Sequence, residues 1–329
     1  MSMIVRLPSN RPARRFYRGG RQITDFRHEA PAASHEPEDW VASCTTVFGE
    51  REVGLSRLPG GALLREEIAA DPVRWLGEAH VARWGADPQL LVKLLDAGQR
   101  LPVHAHPDDA FAAEQLGHAH GKAEGWYILR GGWVHVGLRR PVAASELRDL
   151  VENQDTVALL DLLHTVPVQS GDVVWIPPGE LHAIGEGVLL LELQQPEDLS
   201  ILLEWRGFEL DGARDGHLGL GFARALDAVN LNRRAPAELT RLVQHAPFAA
   251  RPESVFPSEA DPFLRLERHR VTDAVRLAAG FAVLVVTRGA LEIAGGSAPA
   301  GSVFLVPAAE GQVVVRGDGE VLVARPPAP

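Results

Sequence analysis

The sequence predicts a mainly β protein built from two β units, with helices inserted between the strands. Short runs rich in Val, Leu and Ile recur along the chain and are closed by Gly or Pro, as expected for brief strands followed by turns. A faint internal repeat relates residues 126–136 to residues 283–293, each an apolar strand, an Arg-Gly turn and a second strand. Two β units of the sandwich or barrel type fit this pattern.

The composition is that of a folded globular chain. Its 329 residues suffice for two domains, and 46% of them are hydrophobic, which is enough for packed cores. The formal net charge of −10 disfavours binding to nucleic acid and to anionic membranes. The single cysteine cannot form an internal disulfide, and the sequence has neither an N-terminal apolar signal region nor an apolar run of about 18 residues. We therefore expect a cytoplasmic protein without nucleic-acid or membrane partners, and the sequence makes no prediction about its oligomeric state.

The strand runs also suggest where the chain divides. "GDVVWIPPGELH" (171–182) has a counterpart in "GSVFLVPAAEGQ" (301–312), where the histidine is replaced by glutamine, and only one histidine follows residue 250. We predict a metal-binding β domain over residues 1–250 and a metal-free β domain over residues 251–329.

Helical periodicity of apolar residues appears in three places. It predicts helical insertions over about 143–164 and 217–231 in the first domain. A shorter helical segment is predicted over residues 107–116.

Three segments of the first unit carry candidate metal ligands. His104 and His106 follow a Gly-framed run, and alternation along a strand would place both imidazoles on one face, roughly 6 to 7 Å apart. Glu124 precedes a strand that ends at a glycine turn, and His182 follows a Pro-Pro-Gly turn. Three nitrogens and one oxygen suit zinc, although Mn, Fe, Co or Ni could also occupy such a site.

Each of these residues also has an ordinary structural interpretation. Two histidines on one strand face are commonly polar surface residues, and a lone carboxylate or turn histidine needs no metal. His118 and His120 repeat the same spacing in a Gly-flanked loop, and we interpret them as surface histidines. The joint occurrence of both glycine-framed spacings favours a metal site at the first set.

These spacings are similar to those of the cupin superfamily, and four segments narrow the resemblance. They are "LLVKLLDAGQRLPVHAHPDD", "GKAEGWYIL", "IPPGELHAIGEGVLLLELQQPEDLS" and "LDGARDGHLGLGFARALDAV". Together they resemble the type I mannose-6-phosphate isomerase family in its short bacterial form, most strongly over residues 90–205.

The resemblance implies a fold, a metal and a reaction. It implies two cupin (jelly-roll-like) β-barrels and one zinc ion per chain, held by His104, His106, Glu124 and His182. The family usually has Gln where this chain has His104. It further implies a phosphorylated hexose as the substrate, with mannose 6-phosphate and fructose 6-phosphate interconverted through an enediol.

Several residues near these ligands are candidates for the chemistry. Lys122 shares a strand face with Glu124 and matches a family lysine; it would supply a cation for a substrate oxygen or phosphate, or be an exposed strand-end lysine. Asp198 matches an aspartate of the family's active site, or is a loop carboxylate. Glu180, beside His182, is an alternative proton carrier. Glu192 is expected to support a metal ligand or to take part in the chemistry.

The sequence departs from the family at Leu202, where family members carry an arginine four residues after the aspartate. The loss of such an electrostatic stabiliser commonly costs about 100- to 1000-fold in rate. Arg206 or Arg130 could replace it, and the six arginines of residues 6–21 form either a phosphate-facing patch or a solvated arm.

If no cation replaces the arginine, a different function follows. The alternative is a metal-cupin carbohydrate-binding or regulatory protein without isomerase activity. A metal-dependent cupin oxygenase or epimerase is a third possibility, and the oxygenase would need a redox-active metal.

Overall fold

The computed structural model describes residues 2–245 and 253–329, and most of its regular structure is antiparallel β-sheet. The predicted domain boundary at residues 250/251 lies outside the described residues, and the division into two domains stays a prediction. In chain order the strands are β1 (Val5–Arg6), β2 (Glu38–Val41), β3 (Leu91–Asp96), β4 (His104–Ala105), β5 (Glu124–Arg130), β6 (Gly132–Leu138), β7 (Leu163–Val168), β8 (Val173–Ile176), β9 (His182–Ile184), β10 (Leu189–Gln194), β11 (Ile201–Leu202), β12 (Val243–Gln244), β13 (Arg265–Val271), β14 (Ala274–Leu277), β15 (Ala282–Ile293), β16 (Gly296–Pro299), β17 (Val303–Val306) and β18 (Val313–Arg325).

The α-helices are short and lie between strands. The predicted insertion at 143–164 contains two helices before β7 begins, and the predicted insertion at 217–231 contains one helix that continues into a 3₁₀ turn. The segment predicted at 107–116 is helical, and its second half is a π-helix over Ala112–Leu116. The α-helices are α1 (Arg21–Arg27), α2 (Leu64–Ala70), α3 (Pro72–Leu76), α4 (Glu78–Trp84), α5 (Asp109–Phe111), α6 (Ala144–Asn153), α7 (Thr156–Asp161), α8 (Gly212–Asp215), α9 (Phe222–Ala225) and α10 (Pro236–Leu242).

The strands form three sheets. A six-stranded sheet has the order β12-β8-β5-β10-β3-β2, and a five-stranded sheet has the order β11-β4-β9-β6-β7. The third sheet follows the order β1-β17-β15-β18-β13, with β14 and β16 paired at its side. The predicted mainly β class with helical insertions is confirmed. Within the described residues the strand order of each sheet is open, with no hydrogen bonding between its two edge strands. The sheets pack in layers, and the closed ring of the predicted barrels is not seen in the part of the chain that the structure describes.

Strand β5 belongs to the six-stranded sheet, which lies between the other two sheets. Its side chains point alternately to one and the other of these sheets. Glu124 and Trp126 point to the five-stranded sheet, where each contacts His182. Tyr127 points to the opposite side and donates a hydrogen bond to Glu320 of β18. Because both faces of the six-stranded sheet are covered, its central strand β10 is buried along its whole length.

A close contact at Gly125 joins β5 to the segment that precedes β13 and leads to a testable prediction. A Cβ atom at this position would lie 2.7 Å from the Phe256 ring, so the aromatic ring needs a glycine beneath it. We expect Gly125→Ala to lower the free energy of unfolding by about 1–3 kcal/mol, as overpacked cores do. Chemical denaturation measures this loss, and an unchanged midpoint with native activity would show that Phe256 moves freely.

The N-terminal segment is tied to the C-terminal sheet. Strand β1 pairs with β17, and the buried Arg27 guanidinium of α1 donates to the carbonyl oxygens of Leu7 and Gly301. In the part of the chain that the structure describes, no helix has the length and hydropathy needed to cross a membrane.

Candidate metal centre and active site

Three buried histidines converge between the six-stranded and five-stranded sheets. The antiparallel pairing of β4 with β9 places His104 directly opposite His182, and His106 follows two residues later on the same face. The ring centroids of His104 and His182 are 4.0 Å apart, and each lies 5.0 Å from the centroid of His106. One ligand atom from each ring falls within 4.8 Å of the others, so the cluster is compact enough to hold one metal ion.

The second nitrogen of each ring fixes its tautomer. Nδ1 of His104 donates to the Pro102 carbonyl at 2.8 Å, Nδ1 of His106 to the Leu199 carbonyl at 2.7 Å, and Nδ1 of His182 to the Glu180 carbonyl at 2.8 Å. A carbonyl oxygen can only accept, so Nδ1 carries the proton and Nε2 presents a lone pair to the centre. Hydrogen bonds of this kind orient metal-binding histidines.

Glu124 faces this centre from the opposite sheet. Its two oxygens lie 3.2 Å from the Nε2 atoms of His106 and His182. A lone pair that faces a carboxylate at this distance is repulsive unless a proton or a cation lies between them. Nε2 of His182 is buried without a hydrogen-bond partner among the described residues. The donor set therefore fits a divalent cation held by three imidazoles and one carboxylate.

Burial keeps His104 and His106 neutral. Burial lowers the pKa of His104 well below its usual range, and the neighbouring imidazoles lower it further. Burial and the Lys122 ammonium lower the pKa of His106 to about 4. The neutral form is the one that binds metal, so the cluster needs no proton release from these two rings near neutral pH.

Lys122 stands beside the cluster as a buried cation. Its ammonium lies 2.9 Å from Glu124 Oε2 and 3.1 Å from His106 Nε2. Burial lowers the pKa of Lys122, but the carboxylates of Glu124 and Glu192 raise it by more, so the amine stays charged. The sequence predicted one part of this arrangement, namely that Lys122 and Glu124 lie on the same face of a strand.

A second set of buried charges continues from the cluster toward the surface. Glu38 of β2 accepts hydrogen bonds from Tyr17 OH at 2.7 Å, Trp40 Nε1 at 2.6 Å and Arg15 Nε at 2.9 Å. Nη1 of Arg15 also donates to Asp198 Oδ2 at 3.3 Å. Arg15 is thus fixed between two buried carboxylates.

Lys93 of β3 occupies the middle of this network. Its ammonium lies 3.5 Å from Glu192, 3.8 Å from Glu38 and 3.9 Å from Asp198, and 4.5 Å from the centre of the Trp40 ring. A buried ammonium among three carboxylates and an aromatic face is held in one position.

Two of the three carboxylates around Lys93, Glu192 and Asp198, differ in acidity. Burial and the charge of Glu124 raise the pKa of Glu192, and its Oε1 atom is buried without a hydrogen-bond partner among the described residues. Burial also raises the pKa of Asp198, but Arg15 and Lys93 lower it by more, to well below its usual range. Glu192 can therefore gain and lose a proton more readily near neutral pH than Asp198.

These charged residues line a small inner cavity that opens into an outer one. Arg15, Asp198 and Leu202 line both, while His104 belongs to the inner cavity and Phe48 to the outer one. Leu202 pairs with His104 across β11 and β4, so an apolar side chain stands at the junction of the cavities. The lining residues that the two cavities share join them into one cleft that reaches His104.

The structure brings most of the sequence-predicted residues together. The residues that line the inner cavity include His104, Lys122, Glu124 and Asp198. His106 and His182 complete the histidine cluster and contact Glu124. Glu180 does not join them: its carboxylate is engaged by Arg234, whose Nε donates to it at 2.8 Å. Its contribution is the backbone carbonyl that orients His182.

Arg206 and Arg130 were proposed to replace the arginine that is absent at position 202, and neither side chain reaches the site. Arg206 is exposed and lines neither cavity, and its backbone N–H donates to Gln154. Arg130 lies at the end of β5, where it donates to Gln22 beside a different surface cavity. Both side chains project from strand or loop ends that the fold directs away from the histidines.

Lys93 and Arg15 belong to the site, although the sequence patterns did not single them out. The signal for Lys93 was available, because a lysine in the middle of the apolar run "LLVKLLD" is expected to have a buried partner. The chain has two lysines, Lys93 and Lys122, and both line the inner cavity. Nothing in the sequence distinguished Arg15 from the neighbouring arginines of the N-terminal segment.

The curated proteins that are similar to this chain in sequence are named mannose-6-phosphate isomerases. No protein-family model matches the chain. Mannose-6-phosphate isomerase of Streptococcus mutans is 33% identical over 153 residues, which cover 45% of this chain and 46% of that protein. Mannose-6-phosphate isomerase ManA of Bacillus subtilis is 37% identical over 191 residues, which cover 56% of each. Over about half of its length, the chain is similar in sequence to mannose-6-phosphate isomerases. The aligned segments span about half the length of these curated relatives.

The fold is that of solved mannose-6-phosphate isomerases over the whole chain. The crystal structure of the Bacillus subtilis enzyme covers 99% of this chain and 100% of its own, with a TM-score of 0.75 at 22% identity. The apo form from Salmonella typhimurium covers 100% of both chains, with a TM-score of 0.75 at 18% identity. The resemblance predicted from the sequence motifs is confirmed.

Proposed function

We propose that this protein is a zinc-dependent aldose–ketose isomerase that interconverts mannose 6-phosphate and fructose 6-phosphate. The observation that carries the proposal is the buried set of three Nε2 lone pairs and one carboxylate at the inner end of a charged cleft. The names of the curated relatives, mannose-6-phosphate isomerases, support the substrate. The proposal places the protein in carbohydrate metabolism, with a cytoplasmic location as a prediction from sequence.

His104, His106, His182 and Glu124 would hold one divalent cation per chain, with zinc the ion that best suits this donor set. When bound, such a cation acts as a Lewis acid toward sugar oxygens. The carbonyls that accept from each Nδ1 atom keep the rings in place with or without substrate.

The reaction moves one proton between carbons and one between oxygens. A base removes the proton from C2 of the open-chain aldose, the C1 oxygen gains a proton to give the enediol, and the first proton returns to C1 as the O2–H proton leaves. Glu192 is the carboxyl best suited to carry the carbon-bound proton, because its raised pKa brings it closer to the working pH. Asp198, fixed by Arg15 and Lys93, would instead position those cations.

Lys122 and Lys93 would stabilise the negative charge that develops on the sugar oxygens. Both ammonium groups line the inner cavity and are held by carboxylates, so they need little reorganisation as the enediol forms. This assignment removes Glu180 and Arg206 from the expected catalytic set, because neither lines the cavity.

The test is an isomerase assay on protein of defined metal content. Fructose 6-phosphate formed from mannose 6-phosphate is converted by a coupling enzyme and followed by absorbance, with elemental analysis of the same sample. Turnover that rises with bound metal, toward about one ion per chain, is expected. Fully loaded protein that binds the sugar phosphate without turnover would favour the alternative, a carbohydrate-binding or regulatory cupin, for which the apolar Leu202 is the supporting observation.

A further inference from the structure

Arg15 lines both cavities of the cleft. It follows Arg14, whose backbone lies in the left-handed region at φ 61°, and the two side chains line the outer cavity together. The Arg15 side chain is only 12% exposed, whereas Arg14 is an exposed residue. Within the described residues, Nε and Nη1 of Arg15 are used by Glu38 and Asp198, and Nη2 makes no hydrogen bond.

The segment that carries Arg15 is fixed by the fold. The backbone N–H of Arg15 donates to the His35 carbonyl at 3.0 Å, and the Phe16 carbonyl accepts from Glu209 N–H at 2.9 Å. The Phe16 ring also packs edge-on against Phe208, with centroids 6.4 Å apart. A guanidinium held in this way loses little side-chain entropy when a ligand binds.

The outer cavity offers two guanidinium groups and a hydroxyl to an anion. Among the described residues its charged lining consists of Arg14, Arg15, Asp198 and Asp215, and the Ser200 hydroxyl lies on the same wall. The two carboxylates already have cationic partners, since Asp198 pairs with Arg15 and Lys93, and Asp215 pairs with Arg214. Ser200 and Arg15 also line the inner cavity with His104. A hexose phosphate with its C1–C2 end at the histidines would extend its other end into this outer part.

We propose that Arg15, with Arg14 at the rim, binds the phosphate of the sugar substrate and so makes the cleft specific for phosphate monoesters. This inference rests on the proposed isomerase function for the orientation of the sugar. Arg15 provides a planar fork that matches a phosphate dianion, at the junction where residue 202 supplies only an apolar wall.

The experiment measures binding without turnover. Inorganic phosphate, mannose 6-phosphate and mannose are titrated by calorimetry into native protein and into the variants Arg15→Gln and Arg15→Lys. We expect Arg15→Gln to weaken phosphate and mannose 6-phosphate binding by about 10- to 100-fold, as loss of hydrogen bonds to a charged group does. The phosphate affinity of Arg15→Lys should lie between those of the native protein and Arg15→Gln, because lysine keeps the positive charge but lacks the planar fork of the guanidinium. Mannose binding should be the same in all three proteins.

Arg18→Gln is the matched control, since Arg18 lies three residues away, is exposed and lines a different cavity. Its phosphate binding should equal that of the native protein. Arg15→Gln removes the cationic partner of Glu38 and Asp198 and could fail to fold. In that case the test rests on the folded Arg15→Lys variant, which must bind phosphate more weakly than the native protein. Phosphate and mannose 6-phosphate binding unchanged in both folded Arg15 variants would overturn the inference.

The outcomes separate this inference from the proposed function. Phosphate binding that depends on Arg15 in a protein without isomerase turnover supports the subsite and removes the isomerase proposal. Isomerase turnover with an unchanged KM for mannose 6-phosphate in Arg15→Gln supports the isomerase and removes the subsite.

Discussion

His182→Ala is expected to lose its metal and its isomerase activity together. The variant removes one of the three Nε2 donors and one of the two rings that face the Glu124 carboxylate at 3.2 Å. Loss of an outer hydrogen bond to a ligand already weakens metal binding by about 10- to 100-fold, and loss of a ligand should cost at least as much. Without the Lewis acid, turnover should fall by about 1000-fold or more.

The control is a histidine outside the centre. His118 pairs with Glu197 at 2.8 Å and has the same spacing motif as the ligand pair, so His118→Ala tests whether any buried or half-buried histidine gives the same loss. Elemental analysis and circular dichroism on each protein measure metal and fold. A folded His182→Ala protein with native metal content would contradict the site.

Lys122→Met is expected to lose activity while it keeps its metal. The substitution removes the ammonium 2.9 Å from Glu124 but none of the proposed ligand atoms. Loss of a cation that stabilises developing oxygen charge should lower kcat by about 100- to 1000-fold. The change should appear in kcat more than in KM, since the charge forms in the transition state.

Lys122→Arg controls for charge alone. The bulkier guanidinium keeps the positive charge but cannot occupy the small inner cavity in the same way, so we expect only partial recovery of kcat. Native kcat in a metal-replete Lys122→Met protein would rule out a role for Lys122 in the chemistry.

The sequence predicted the inner half of the site better than the outer half. His104, His106, Glu124 and Lys122 could be placed because strand alternation converts spacing into a shared face. His182 was linked to them by the turn that precedes it. These relations are local, and the pairing of β4 with β9 then brought the local groups together.

The outer half depends on contacts between distant segments. Arg15 and Asp198 are 183 residues apart in the chain, and their ion pair exists only because the N-terminal segment crosses the edge of the six-stranded sheet beside β2. Arg206 was the nearer substitute in sequence for the arginine absent at residue 202. The backbone turns after β11, so Arg206 lies outside the cleft. Closeness in sequence to residue 202 therefore did not place its side chain in the site.

The proposed reaction is proton transfer between C1 and C2 of mannose 6-phosphate in the cleft. It is followed by NMR on mannose 6-phosphate in D₂O with metal-replete protein. We predict conversion to fructose 6-phosphate with deuterium at C1 in part of the product, because a carboxyl proton at Glu192 exchanges with solvent. Mannose 6-phosphate that stays unconverted while bound to the metal-replete protein would rule out the proposed isomerase.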